Sequence, residues 1–369
     1  MPQPRVTYGM SPRPAGAYAR SVRKTIAQLR LRMAVPVVAG LLAVAAAGWW
    51  SLGRITGATA DVVSIAAVAA ASETFLALVH TSSEDLAAIV GTLAEDRELI
   101  AAVASRDSRR LLAAAGPRFH ELQLRRGVTH WNYWEPERPE TPPNALRNVV
   151  RLGTPALRGD LVERATLARV AREKALITGL ELGYTGFVLR VLAPVRDGDR
   201  VVGYVELGRD VGTLLGELKQ RTGDDFALVL DKRRIDPRRW ASARAARGER
   251  NDWSDRDDLV LVRNPTHGDL DLGAVLPDAL PDGGAPLGLQ REGTRTYAEA
   301  AFPVLDAAGQ KVGAVYVLRD VTELVARARG LRREGGAALA FVVALAAAVS
   351  GAAFEWLVVR ERRGATADS

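Results

Sequence analysis

The segment Met33–Gly53 runs 21 residues without a charge, about the roughly 20 apolar residues that a helix needs to cross a bilayer. A soluble core helix rarely stays uncharged that long. A second run, Gly335–Val359, is broken only by Glu355, which lies near one end of the run and can snorkel to the headgroups or pair with a basic neighbour. Arg30 and Arg32 precede the first run, and Trp49 and Trp50 stand near its far end, where aromatic rings favour the headgroup zone. Arg332 and Arg333 come before the second run, and Arg360, Arg362 and Arg363 follow it.

The formal charge of +7 belongs to the ends of the chain. Residues 1–32 hold Arg5, Arg13, Arg20, Arg23, Lys24, Arg30 and Arg32 with no acidic residue, and the tail 360–369 carries +1, which leaves −1 for everything between. A nearly neutral body argues against a nucleic-acid surface, since phosphate binding needs clustered positive charge. The cationic cluster before the first run places the N-terminus inside. Two spans return the C-terminus to the same side, so residues 54–334 lie outside the cytoplasm, in the periplasm or an equivalent space. A cleaved signal peptide with a small-residue exit at Ala45–Ala47 is the alternative; the 32-residue leader favours an anchor. The absence of cysteine removes disulfides, thiolate nucleophiles and Cys-based zinc sites together.

From Ile55 to Ala115 the chain is Ala-rich and contains no proline, with Val62, Ile65, Val68, Phe75, Leu78, Leu86, Ile89 and Leu93 at helical spacing. Ser82–Asp85 and Asp107-Ser108 read as N-caps of successive helices, and Gly116-Pro117 as the end of the segment. Such a helix must pack on a neighbouring domain, a second copy, or both. Short β-branched and aromatic runs follow, separated by Gly, Asp and Pro: 128–134, 149–152, 186–191, 201–207, 226–230, 259–262, 296–301 and 311–318. Helical patterns fall at 160–174 and 211–221, and the Pro-rich stretches 135–143 and 276–289 read as loops.

An internal repeat organises this part. Ala193-Pro194-Val195, Val202-Gly203-Tyr204-Val205 and Arg209-Asp210-Val211 recur as Phe302-Pro303-Val304, Val312-Gly313-Ala314-Val315 and Arg319-Asp320-Val321. Each copy is a strand, a tight turn, a second strand and an Asp that caps the departing helix.

The paired units resemble double-Cache sensor regions, the PAS-like ectodomains of bacterial chemoreceptors, sensor kinases and diguanylate cyclases. The first unit is similar to one branch of that family at Thr129-His130-Trp131-Asn132, Val150-Arg151, Gly159-Asp160-Leu161, Arg164, Gly179–Gly183, Gly186, Arg190 and Gly203-Tyr204-Val205-Glu206. The branch tends to carry histidines where Asn132 stands and near Gly153, so ligand identity does not transfer. The resemblance implies an α+β fold, with two transmembrane helices flanking a long N-terminal helix and two tandem antiparallel-sheet domains. The expected order is a cytoplasmic basic segment 1–32, a span 33–53, a helical segment 54–116, a membrane-distal Cache domain 117–221, a membrane-proximal one 222–326, a second span 335–359 and a cytoplasmic tail 360–369. Family members usually continue into an output module; here Arg360–Ser369 is too short to fold as one.

Four histidines, His80, His120, His130 and His267, show no metal-ligand spacing, and no nucleophile elbow or phosphate cradle accompanies any serine or glycine run. No enzyme, cofactor or metal is expected. In residues 128–134, alternation puts His130, Asn132 and Trp134 on one strand face, a plausible ligand wall as well as an ordinary packing face. Arg147, Arg151 and Arg190 suit a carboxylate or phosphate held bidentately. Asp160 and Arg164 serve as ligand contacts or as a structural pair, and Glu181, between Gly179 and Gly183, as a contact or a turn pin. Asp210 and Asp320 read as helix caps, and Trp240 as a lid or surface anchor. The expectation is an inner-membrane sensor of a small molecule, an anionic one suiting the arginines. It would be homodimeric and would signal through a separate membrane kinase, cyclase or chemoreceptor. The alternatives are a non-signalling envelope binding or scaffold protein and a degenerate receptor.

Overall fold

The computed structural model describes residues 15–153, 158–183, 186–246, 248–263 and 275–365. They form two compact units, Ala60–Thr322 and the helical ends of the chain on either side of it. In the unit of the ends, helix α1 (Ala15–Glu95) and helix α7 (Thr322–Ala365) approach at small residues. A Cβ on Gly48 would lie 3.2 Å from Leu339 Cδ2, and one on Gly336 2.5 Å from the Trp49 ring. Glycine at such crossings lets two apolar helices close on each other. The Arg332 guanidinium stands 4.6 Å from the Trp49 ring centroid.

Among the described residues, Val62–Glu95 and Thr322–Ala352 are long and apolar enough to cross a membrane, and Ala39–Ser51 is a shorter apolar stretch inside the expected first span. Composition misleads at Val62–Glu95. Its Ala67, Val68, Ala71, Phe75, Leu78, Leu86 and Val90 are buried in the protein core, so that apolar stripe already has a partner. Two apolar helices thus flank the sheet-forming region, as expected.

The larger unit contains two antiparallel sheets. Strands β1 (His130–Trp134), β2 (Ala145–Arg151), β3 (Leu161–Glu163), β4 (Ile177–Gly183), β5 (Gly186–Asp197) and β6 (Arg200–Asp210) pair in the order β3-β2-β1-β6-β5-β4. Strands β7 (Asp225–Asp231), β8 (Leu259–Arg263), β9 (Ala285–Glu292), β10 (Arg295–Leu305) and β11 (Lys311–Asp320) pair in the order β8-β7-β11-β10-β9. The mixed helix and sheet architecture is the α+β class expected. Side chains alternate between the two faces of each sheet, with register shifts such as those at Val195/Arg196 and Val304/Leu305. Trp131, Tyr133, Phe187, Leu189, Val191, Val205 and Leu207 meet α1, helix α2 (Arg97–Ser105) and helix α3 (Ser108–Arg126) in a core that also takes Phe226, Leu228, Phe302, Val315 and Val317 from the second sheet. On the other face of the first sheet, helix α4 (Ala165–Glu173) packs Leu167 and Val170 on Trp134, Leu192 and Tyr204. Helix α5 (Val211–Thr222) joins the sheets, and helix α6 (Pro237–Ala246) sends Trp240 into the shared core.

Several local expectations give way. Ser82–Asp85 lies inside α1 and caps nothing. Arg209 instead reaches it from β6, bonding Ser82 Oγ at 2.9 Å and Asp85 at 3.2 Å, which ties the long helix to the sheet. Asp107 does cap, accepting from the Arg109 and Arg110 amides, and Asp96 caps α2. Pro117 sits inside α3, which runs on to a left-handed Gly127. Residues 161–163 form β3 rather than part of a helix, and the expected loop 276–289 contains the start of β9. Trp240 is buried: its Nε1 donates to Asp252 at 2.9 Å and Arg244 stacks on its ring. It anchors α6 to the core. Asp210 and Asp320 cap α5 and α7 as expected, accepting from Gly212 N at 2.7 Å and Thr322 N at 2.9 Å.

The repeated Val-Gly pair has one structural job in both sheets. A Cβ on Gly203 would lie 2.7 Å from the Trp134 carbonyl oxygen, and one on Gly313 would collide with the Val229 carbonyl. Neither neighbour is a flexible side-chain end. Gly203→Ala and Gly313→Ala are each expected to lower stability by about 1–3 kcal/mol, read from guanidinium titration of the solubilised chain by tryptophan fluorescence. Gly216→Ala, in α5 with open space around it, is the control that should not destabilise.

Candidate functional site

The face of the first sheet under α4 collects charge beside its apolar contacts. Glu206, in the central strand β6, is wholly buried. Its carboxylate accepts from Asn132 Nδ2 at 3.0 Å and Trp134 Nε1 at 2.8 Å on β1. It also accepts from Arg164 Nη2 at 2.7 Å, at the start of α4, and from Arg190 Nη1 on β5. Register explains the convergence. Asn132 pairs with Glu206, and Arg190 pairs with Gly208, two residues along the same face. Burial opposes the charged form of Glu206, but Arg164 and Arg190 outweigh it and hold the carboxyl down at about 2. Burial, and then repulsion from Arg164, lower the pKa of Arg190 in turn.

Two further ion pairs frame this centre. Glu181 on β4 stands 3.6 Å from Arg164 and 3.9 Å from Arg190, and accepts from the Thr166 amide at 3.1 Å and the Thr166 hydroxyl at 2.5 Å. Arg151 is bidentate to Asp160 at 2.7 and 2.9 Å. The guanidiniums of Arg151 and Arg164 lie 5.7 and 5.0 Å from the Trp134 ring centroid, within cation–π range. Three arginines therefore meet three carboxylates. Glycine makes room for them: a Cβ on Gly183 would strike the Arg190 guanidinium, and one on Gly208 would lie 2.8 Å from Val188 Cγ1 and 3.2 Å from His130 Cβ.

Of the residues singled out from sequence, His130, Asn132, Trp134, Arg151, Asp160, Arg164, Glu181 and Arg190 come together here. Arg147 stays apart, its Nη1 donating to the Gly159 carbonyl at 2.7 Å near the sheet edge. Asp160 pairs with Arg151, not with Arg164, which turns to Glu206. Glu181 does pin backbone, at the Thr166 amide, while also facing both arginines. Glu206 itself was visible only as one position of a family-like motif. The signal that marks it is a carboxylate within a run of apolar and small residues on a central strand, where an unpaired charge could not survive. A second feature had no sequence sign: Glu137, in the Pro-rich loop, accepts from Tyr204 Oη at 2.6 Å and pairs with Lys174 at the end of α4, holding that loop against the site. Among the described residues, no group of three or more His, Asp or Glu is placed to hold a metal.

His130 is the group at this site whose shift starts nearest neutral pH. Its Nδ1 lies 2.8 Å from Thr129 Oγ1. Burial, and then the charge of Arg190, push its pKa down from 6.5 to about 3. A depressed histidine destabilises on acidification, because between those two values the unfolded chain binds a proton that the folded chain refuses. Glu206 has the same sign in a lower window, from 4.5 to about 2. Stability is expected to start falling near pH 6.5. His130→Gln should flatten the loss down to about pH 4.5 and leave the lower limb intact, as measured by denaturation midpoints across pH.

Residues 153–325 match the family described as the double sensory domain of two-component sensor kinases. Among solved structures, the sensor domain of the V. cholerae histidine kinase DctB is similar at 9% identity and TM-score 0.36, covering 68% of this chain and 95% of that one. The ligand-binding domain of the Campylobacter jejuni chemoreceptor Tlp3, in complex with L-valine, is similar at 9% identity and TM-score 0.30, covering 75% and 97%. At such scores neither likeness bears on the ligand of this chain. No curated protein matches it. The matched stretch spans β3 to β11, all of the second sheet and the first without β1 and β2, and carries Asp160, Arg164, Glu181, Arg190 and Glu206 of the charged face; residues 153–325 are a double-Cache sensory region.

Proposed function

We propose that this chain is an inner-membrane sensor whose first sheet binds a small polar solute on its charged face. Both termini lie in the cytoplasm and residues 54–334 outside it. The carrying observation is the buried Arg164–Glu206–Arg190 array beneath α4, with Glu181 held at 3.6 and 3.9 Å from the same two guanidiniums. Those longer contacts are the exchangeable ones. A ligand carboxylate could take the place of Glu181 while Glu206 stays fixed. Among the described residues no group of three or more His, Asp or Glu is placed to hold a metal at the array, and the role we assign it is binding. A homodimer along α1 fits the exposed Val62, Ile65 and Leu76, which share one side of that helix. The signal leaves through α7 to a separate membrane protein, a kinase, cyclase or chemoreceptor.

Thermal-shift screening of the solubilised chain against organic acids, amino acids, amines and purines tests the binding. A ligand at a hundred times its Kd should stabilise by about 2.7 kcal/mol, and Arg151→Ala, at the more open end of the array, should abolish the shift. A silent panel with a folded protein would favour the scaffold reading. For the dimer, sedimentation in detergent should report two copies for the wild type and a shift toward monomer for Ile65→Glu with Leu76→Glu. A wild type that sediments as a monomer would remove the homodimer from the reading.

A further inference from the structure

Besides the shared core, a backbone hydrogen bond next to the charged site joins the two sheets. The turn between β10 and β11 reaches from the second sheet to β4, the edge strand of the first, and the Ala307 amide donates to the Leu180 carbonyl at 2.7 Å. A Cβ on Gly179 would lie 2.6 Å from Ala307 Cβ, 3.3 Å from its Cα and 3.5 Å from Thr166 Cγ2. The turn therefore sits against the same glycine that borders Thr166. Thr166, buried, is the residue that holds Glu181 through two hydrogen bonds. Gly179, Leu180 and Glu181 are consecutive, so the site carboxylate and the carbonyl gripped by the second sheet are neighbours on one strand.

The turn is braced to act as a unit. Asp306 Oδ1 accepts from the Ala308 and Gln310 amides, both at 2.9 Å, and the Asp306 amide donates to the Gln310 carbonyl at 2.9 Å. Gln310 Oε1 accepts from Arg234 Nη1 at 2.6 Å. Strand β11 then runs from Lys311 to Asp320, the cap of α7. One paired strand thus joins the turn to the start of α7.

We infer that the Ala307–Leu180 contact is a clasp through which the state of the Glu181 site is read by the second sheet. The clasp rests on the sensor reading above for its purpose, but its existence needs no ligand. When Glu181 leaves Thr166 or the arginines, β4 shifts at Leu180 and the Ala307 bond weakens. Linkage requires the converse: loosening the clasp must loosen Thr166.

Amide hydrogen exchange on the full chain in lipid nanodiscs, resolved at Ala307 and Thr166, tests this without any ligand. Glu181→Gln, which keeps the shape, and Thr166→Val, which removes the hydroxyl alone, should each speed exchange at Ala307 by at least about threefold, as a local opening would. Gly179→Ala should speed exchange at both Ala307 and Thr166, and Ala307→Gly added to it should bring both back toward wild type. Ala307 exchange unchanged in both Glu181→Gln and Thr166→Val would overturn the clasp and leave a passive domain contact, with the sensor reading standing. A chain that binds nothing in the screen yet shows the coupled exchange would keep the clasp and sink the sensor instead.

Discussion

A carboxylate taken out of water in the middle of a sheet loses several kcal/mol of hydration, and Glu206 is in that position. Two guanidiniums, an indole N–H and an amide restore what burial removes. Most of the first sheet follows from supplying those donors. Strand β1 must present Asn132 and Trp134 on one face, which sends Trp131 and Tyr133 into the helical core. Arg190 needs the space that Gly183 leaves. Arg164 must come from outside the sheet, so α4 begins where its N-terminal residue can reach β6. Removing one of these groups would strand a buried charge, a loss of roughly 3–5 kcal/mol for a broken buried pair.

The second sheet shows how much of this is scaffold and how much is content. The pairing Pro194–Tyr204 recurs as Pro303–Ala314, and Arg190–Gly208 recurs as Glu299–Leu318. The strands, the glycine at Gly203 and Gly313, and the capping aspartates are the same in both. By that register Glu206 corresponds to Tyr316, in a face filled by Tyr297, Ala301, Ala314 and Leu318. One backbone solution therefore carries a charged array in one copy and a largely apolar face in the other. The repeat was legible in the sequence because it lies in the backbone-determining residues: Pro, Gly and the caps. Those residues say nothing about what the open face holds.

The limits of the sequence reading have the same physical root. Alternation identified which side chains of β1 share the charged face, and the cap chemistry of Asp107, Asp210 and Asp320 held. Strands β4 and β9 were missed because Gly179 and Gly183 in one, and Pro286 and Gly288 in the other, are breakers locally. In β4 the glycines are there for a close approach by Ala307 and by Arg190, which no local pattern reveals. Ser82–Asp85 looked like a helix start because its polar groups suit a cap. They are instead satisfied across 124 to 127 residues of sequence by Arg209. Gly116-Pro117 looked like a stop, yet a helix can absorb one lost N–H when packing elsewhere holds it. Asp160 was matched to the wrong arginine for a similar reason, since sequence proximity to Arg164 did not determine which guanidinium it faced.

An array of matched charges is better suited to switching than an open cluster of arginines would be. Moving a two-state equilibrium from one part in a hundred to ninety-nine takes about 5.5 kcal/mol of differential affinity, and an exposed ion pair contributes only about 0–1. A desolvated pair is different, because exchanging its partner changes an interaction worth several kcal/mol at once. Under the proposed sensor reading, Glu181 is the partner placed for exchange. It faces both arginines at longer range than Glu206 does, and it is tied through Thr166 to the start of α4. Its strand neighbour is gripped by the second sheet. A ligand that competes for the arginines would leave the net charge of the face to be settled by moving Glu181, and the strand that carries Glu181 is the only one in the first sheet whose free edge touches the β10–β11 turn among the described residues.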